Sequence, residues 1–136
     1  MKIQVKDTII SDEYAIMTMT NDFKKIAKKV ADSPSGLVIV KGKDSKIMGV
    51  VTYSEIINRL LTEKDVSKIK FGDVIQNKIM IVNDTDELEQ VIKRINERKP
   101  IATIVVNKKG QLAGLFSRSD LSYAEACQKI VNNILK

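Results

Sequence analysis

The sequence predicts a mixed α/β (α+β) fold built twice over, and three observations carry the prediction. A short phrase occurs at two places, Gly49-Val50-Val51-Thr52-Tyr53-Ser54-Glu55 and Gly114-Leu115-Phe116-Ser117-Arg118-Ser119-Asp120. Sliding the first half by 65 residues lays Thr20 on Thr85, Phe23 on Leu88, Ile26 on Val91, Val30 on Ile95 and Ile39 on Ile104. Short apolar runs of strand length also alternate with segments whose apolar residues recur at helical spacing. A fixed self-similarity of this kind is the signature of an internal duplication.

The first repeat opens on an apolar lead-in, Ile3, Val5, Ile9 and Ile10, interrupted by polar residues. Residues 15–19, Ala-Ile-Met-Thr-Met, read as a short strand. Thr20-Asn21-Asp22 then offers an N-cap, and Phe23, Ile26, Ala27, Val30 and Ala31 fall on one helical face. Lys24, Lys25, Lys28 and Lys29 occupy the opposite face and read as a solvated surface. Ser33-Pro34-Ser35-Gly36 stops the helix. Leu37–Val40 and Ile47–Val51 form a strand pair about the turn at 42–45, and Thr52 starts a helix carrying Ile56, Ile57, Leu60 and Leu61. Polar residues 62–68 form a candidate linker.

The second repeat follows the same plan. Ile69, Phe71, Val74 and Ile75 match the first lead-in at an offset of 66. Ile79–Val82 is a strand, and Thr85 caps a helix with Leu88, Val91, Ile92 and Ile95 inward. Lys99-Pro100 punctuates, 103–107 and 111–116 form the strand pair, and Ser117 caps the last helix. Leu121, Ala124, Cys127, Val131, Ile134 and Leu135 give that helix one long stripe, with Cys127 read as a buried small hydrophobe. It outruns its counterpart, so its far end is expected to cover something further, such as the lead-in or a second subunit. The boundaries read from sequence are 1–61, a linker at 62–68, 69–124, and a helix extension at 125–136.

Bulk properties narrow the function. The chain has 136 residues, and a lone half of about 60 residues would bury too little surface to stand by itself. It has no histidine and a single cysteine, which removes the commonest general base and metal ligand and any internal disulfide framework. No nucleophile–base pair, metal cluster or P-loop phrase is present, so the sequence reads as non-catalytic. No apolar run reaches the roughly 18 residues of a membrane span, and charges interrupt the opening segment where a secretory signal would be apolar. A reducing cytoplasm fits best. The net charge of +6 favours an anionic partner, but aromatics make up only 4% of the chain, which leaves few side chains to stack on nucleic-acid bases.

Taken alone, Gly-h-h-[Ser/Thr]-x-x-[Asp/Glu] where a strand runs into a helix describes a capping box. Repeated at equivalent places in two matched halves, each strand–helix–strand–strand–helix, it resembles the CBS domain. The tandem arrangement resembles a CBS pair, the Bateman module, over residues 3–124. The resemblance implies two pseudo-twofold-related repeats packed through their sheets, with clefts that bind adenosine-containing ligands such as AMP, ADP, ATP or S-adenosylmethionine. It also implies a regulatory module without activity of its own, paired into a disc-like homodimer and acting on a partner protein still to be identified.

Carried over by position, Asp120 would hold the ribose, and Ser117 with Arg118 the phosphates. Met80, Ile81 and Val82 would line the base, and Pro100, Ile101 and Ala102 would close the pocket. In the first repeat the corresponding residues are Thr52, Glu55, Ile16, Met17, Ser35, Gly36 and Leu37. Glu55 stands where the family usually has Asp; it is one methylene longer and is also the natural third-position partner of a plain capping box. Tyr53, beside Thr52, could stack on a ligand or on a partner subunit. Two other readings remain at this point: a docking module whose clefts are filled by its own side chains, and a nucleic-acid binder using its basic helix faces.

Overall fold

The computed structural model describes residues 2–8, 14–116 and 118–135, with Arg118 and Ser119 described by their backbone only. Two three-stranded sheets are present. The first holds β1 (Ala15–Thr18), β2 (Leu37–Lys41) and β3 (Ile47–Thr52), flanked by α1 (Phe23–Asp32) and α2 (Tyr53–Thr62). After a 3-10 turn at Val66–Lys68 and the one-turn helix α3 (Phe71–Val74), the plan repeats. β4 (Ile79–Asn83), α4 (Leu88–Arg98), β5 (Ala102–Val106), β6 (Leu112–Phe116) and α5 (Arg118–Ile134) follow in order. In each sheet the first strand is an edge strand parallel to the central one, and the third is antiparallel to it. The expected α/β architecture is therefore present, with strand ends within a residue or so of their predicted places.

One expectation is corrected. Thr85 does not cap α4, whose N-cap is Glu87. Residues 83–86 form a tight turn instead: the Asp86 N–H donates to the Asn83 carbonyl, and the Asp86 carboxylate accepts from the Asn83 N–H. The first helical N–H, that of Leu88, donates to the Ile3 carbonyl at 2.7 Å. That bond satisfies a donor which a helix end would otherwise leave orphaned. Asp22 occupies the equivalent place before α1 and caps through its side chain, accepting from Lys24 N–H and Lys25 N–H.

The chain folds into two compact units, one of residues 13–78 and one of the N-terminal segment with 79–136. Each lead-in consequently serves the repeat that it does not precede in sequence. Val5 is completely buried in the core of Met80, Val82, Leu88, Val91, Val105 and Phe116. Ile69, Phe71 and Val74 are buried in the core of Phe23, Ile26, Val30, Val38 and Val51. The main-chain bonds match this exchange, for Val5 N–H donates to the Asp86 carbonyl and Phe71 N–H to the Asn21 side-chain oxygen. Both lead-ins are also tied in the same way, Gln4 N–H to the Asp7 carboxylate and Lys70 N–H to that of Asp73.

The glycine of the first duplicated phrase has a steric role. Val50 and Gln76 exchange main-chain hydrogen bonds of 2.9 and 2.8 Å, extending the β3 edge with the segment that follows α3. A Cβ on Gly49 would overlap the Gln76 carbonyl oxygen, so only glycine allows this approach. In α5, Ala124 is buried while Cys127 is only half-buried, and Ile130, Ile134 and the following Leu135 are exposed. Among the described residues no helix is long and apolar enough to cross a membrane.

Candidate ligand cleft

A cleft of about 400 Å³ lies in the second repeat, where the end of α4, the entry to β5 and the start of α5 converge. Its volume falls within the range of small-molecule sites. Pro100, Ile101 and Ala102 form one wall. Phe116, at the end of β6, and Leu121, in the first turns of α5, form another. Asp120 immediately precedes Leu121 and is only 7% exposed. Ser117 lies outside the described residues, and of Arg118 only the backbone is described, as the first residue of α5.

The loop that shapes the cleft is set by two adjacent residues. Lys99 closes α4 in the left-handed conformation, φ 47° and ψ 57°, while its N–H donates to the Ile95 carbonyl at 2.8 Å. A non-glycine residue pays about 1–3 kcal/mol for such a backbone. Pro100 follows and cannot continue the helix, so the chain reverses into β5. Asn96 and Lys99 bring an amide and an ammonium to an otherwise largely apolar lining.

The predicted base-lining strand divides in two. Met80 and Val82 are packed into the core, whereas Ile81 alternates to the other face and is 47% exposed. The period-2 side-chain alternation of a strand enforces this split, so anything Met80 and Val82 offer a ligand comes from backbone, and β4 is not among the walls of the cleft. The ladder places the Ile81 N–H and C=O on the open edge of the sheet, because the parallel bonds to β5 are made by the alternate residues, as in Asp84 N–H to the Val106 carbonyl. Met17 likewise packs against the first core, and Ile16 is exposed on an edge strand.

The equivalent positions of the first repeat are arranged differently. Thr52 is the N-cap of α2 yet makes no side-chain capping bond, so the capping box read from Thr52 and Glu55 is absent. The first helical N–H, that of Tyr53, donates instead to the Gly36 carbonyl at 3.0 Å. Gly36 has φ 69°, and the Tyr53 ring lies against it so closely that a Cβ there would overlap Cδ2. The Tyr53 hydroxyl donates to the Ala31 carbonyl at 3.4 Å. Ser35 is exposed, Leu37 opens β2, and Glu55 is half-buried.

Sequence reasoning missed Ile95, Asn96, Lys99, Thr103, Phe116 and Leu121 as cleft residues. Ile95 and Leu121 belong to helical stripes that read simply as core. Thr103, a buried hydroxyl in an otherwise apolar strand, was the signal available.

This geometry defines the class, a tandem-repeat α/β module carrying a ligand-sized cleft. Comparison with known proteins gives the family. Residues 71–126 match the family model of the CBS domain. A CBS-domain pair with bound AMP from Klebsiella pneumoniae is 22% identical with a TM-score of 0.68, covering 92% of this chain and 99% of that one. A CBS domain-containing protein from Bacillus anthracis is 18% identical with a TM-score of 0.68, covering 96% and 94%. A CBS-pair protein from Arabidopsis thaliana is 16% identical with a TM-score of 0.67, covering 95% and 98%. Among curated proteins no sequence matches. Residues 71–126 thus match a CBS domain, and the chain as a whole has the fold of the CBS-domain pairs. Proteins of this family are in general regulatory modules.

Proposed function

We propose that the protein is a non-catalytic, cytoplasmic regulatory module that binds an adenosine-containing ligand, AMP, ADP, ATP or S-adenosylmethionine, at the second repeat and passes its occupancy to a partner protein. The observation that carries this reading is the cleft of about 400 Å³ walled by Pro100, Ile101 and Ala102, beside the helix that begins at Arg118. The AMP bound to the structurally similar Klebsiella pneumoniae pair supports the ligand class.

Each residue has a physical role in this reading. Asp120 accepts hydrogen bonds from the ribose hydroxyls, which a carboxylate does more strongly than a neutral group. The N-terminus of α5 presents N–H groups that have no partner within the helix and a partial positive charge to the phosphate, helped by Ser117 and the planar fork of Arg118. Ile81 offers main-chain donor and acceptor on an open strand edge, suited to a purine edge. Lys99 adds a cation at the rim.

Assembly as a homodimer belongs to the same proposal. Ile57, Leu60 and Leu61 on α2, Ile130 and Ile134 on α5, and Leu135 just after it are large apolar side chains left exposed. A second copy of the chain would cover them, and light scattering that finds a monomer would remove this part.

The test of the ligand is a thermal melt with millimolar AMP, ADP, ATP or S-adenosylmethionine. At 100 times its dissociation constant a ligand adds about 2.7 kcal/mol, which moves the melting point by several degrees. No shift with any of the four would sink the reading.

A further inference from the structure

The two repeats differ in the space that their equivalent residues enclose. Every residue lining the second-repeat cleft has a counterpart 65 positions earlier, and two of these counterparts, Ala31 for Asn96 and Gly36 for Ile101, are the residues that Tyr53 touches. We propose that Tyr53 is a built-in occupant of the first repeat's counterpart cleft, so that the chain takes one adenosine ligand, at the second repeat. This rests on the nucleotide reading for the ligand, but not for the plug itself.

Three contacts hold the plug. The Tyr53 N–H donates to the Gly36 carbonyl at 3.0 Å, the ring lies against the Gly36 Cα, and the hydroxyl reaches the Ala31 carbonyl at 3.4 Å. The side chain therefore spans from the end of α1 to the entry of β2, the walls that in the second repeat stand apart around the cleft. Glycine at 36 is part of the fit, because both the ring contact and φ 69° exclude a side chain there. In the second repeat Ile101 stands at the Gly36 position and Arg118 at the Tyr53 position. An arginine at the start of a helix matches an anion, whereas a tyrosine tied to two carbonyl-bearing segments matches its own chain.

Tyr53 is 46% exposed, and its backbone bond survives substitution, so removing the ring opens space without removing core. The experiment is an isothermal titration of AMP into the full chain, its Tyr53→Ala and its Tyr53→Phe forms. One AMP per chain is expected in the wild type and in Tyr53→Phe, which keeps the ring, and two in Tyr53→Ala. Two sites in the wild type, or a single site in Tyr53→Ala, overturn the plug. Absence of heat in all three is a failure of the nucleotide reading. The plug is then decided without ligand by the Gly36 Hα resonances. Because the ring meets Gly36 edge-on at Cδ2, a downfield ring-current shift that Tyr53→Ala abolishes sustains it, and unshifted resonances in the wild type refute it.

Discussion

The two repeats share a register of strands, a pair of helices and a mode of securing the lead-in, yet they differ where a ligand would enter. In the second repeat the chain reverses through Lys99 and Pro100, and a cleft of about 400 Å³ remains between the helix ends. In the first it turns through Ser33, Pro34, Ser35 and Gly36, and Tyr53 lies across the result. The loops are alike in length, since the offset of 65 holds on both sides of them. What separates the repeats is side-chain volume and backbone handedness at three or four positions. A duplicated scaffold can thus keep its packing while its two clefts diverge, because the positions that differ, Asn96, Lys99 and Ile101 against Ala31, Pro34 and Gly36, lie outside both cores.

The largest effect expected from this comparison concerns the exchanged lead-ins. Phe71→Ala should cost about 3–5 kcal/mol, the range for deleting a buried aromatic, and Val5→Ala about 2 kcal/mol. The sharper readout is location. Hydrogen exchange should quicken in β1–β3 for Phe71→Ala and in β4–β6 for Val5→Ala, since each lead-in supports the other repeat's core. The reverse assignment would show that the two units are not divided as described.

Next in size is the contrast between the two carboxylates. Asp120→Ala should weaken AMP binding by roughly 10–100-fold, the worth of a hydrogen bond to a charged group, while Glu55→Ala leaves it unchanged. Asp120 is buried, so its variant also needs a melt without ligand to separate affinity from folding. Equal losses in the two variants would mean that the repeats do not differ in the way proposed.

The fold was legible because it rests on periodicity. The stripe of Phe23, Ile26 and Val30 and the run from Val38 to Val40 announce helix and strand, and the offset of 65 shows each of them twice. Part of the cleft was legible as well, through Pro100 beside a helix stop. Three things were not. The N-cap of α4 at Glu87 rather than Thr85 goes with the Leu88 bond to the Ile3 carbonyl, a partner more than 80 residues away in sequence. The exchange of the lead-ins leaves no local mark, because Val5 and Phe71 look equally apolar whichever core receives them. Tyr53 could not be assigned, because what it covers depends on Gly36 and Ala31, which a different turn brings to it.

The smallest effects concern the helix caps, where the repeats again part. Asp22 caps α1 through two main-chain donors, so Asp22→Ala should cost about 1 kcal/mol in urea unfolding. Its counterpart Glu87 makes no capping bond and pairs with exposed Lys2 at 2.8 Å, and Glu87→Ala should therefore fall within about 0.5 kcal/mol of wild type. Thr52→Ala belongs with Glu87→Ala, since its hydroxyl caps nothing. The pH dependence supplies a check on the Lys2 pair. The Glu87 hydrogen bond first, and its charge second, raise the Lys2 pKa above the ordinary 10.5. A raised folded-state value gives stability that is complete below the unfolded pKa and lost only as pH climbs through the folded one. Wild type and Glu87→Ala should therefore keep a constant difference in melting point from pH 6 to 9, and that difference should narrow only above about pH 10.5. A gap that changes near neutrality would place the titrating group elsewhere, in a chain that has no histidine to supply one.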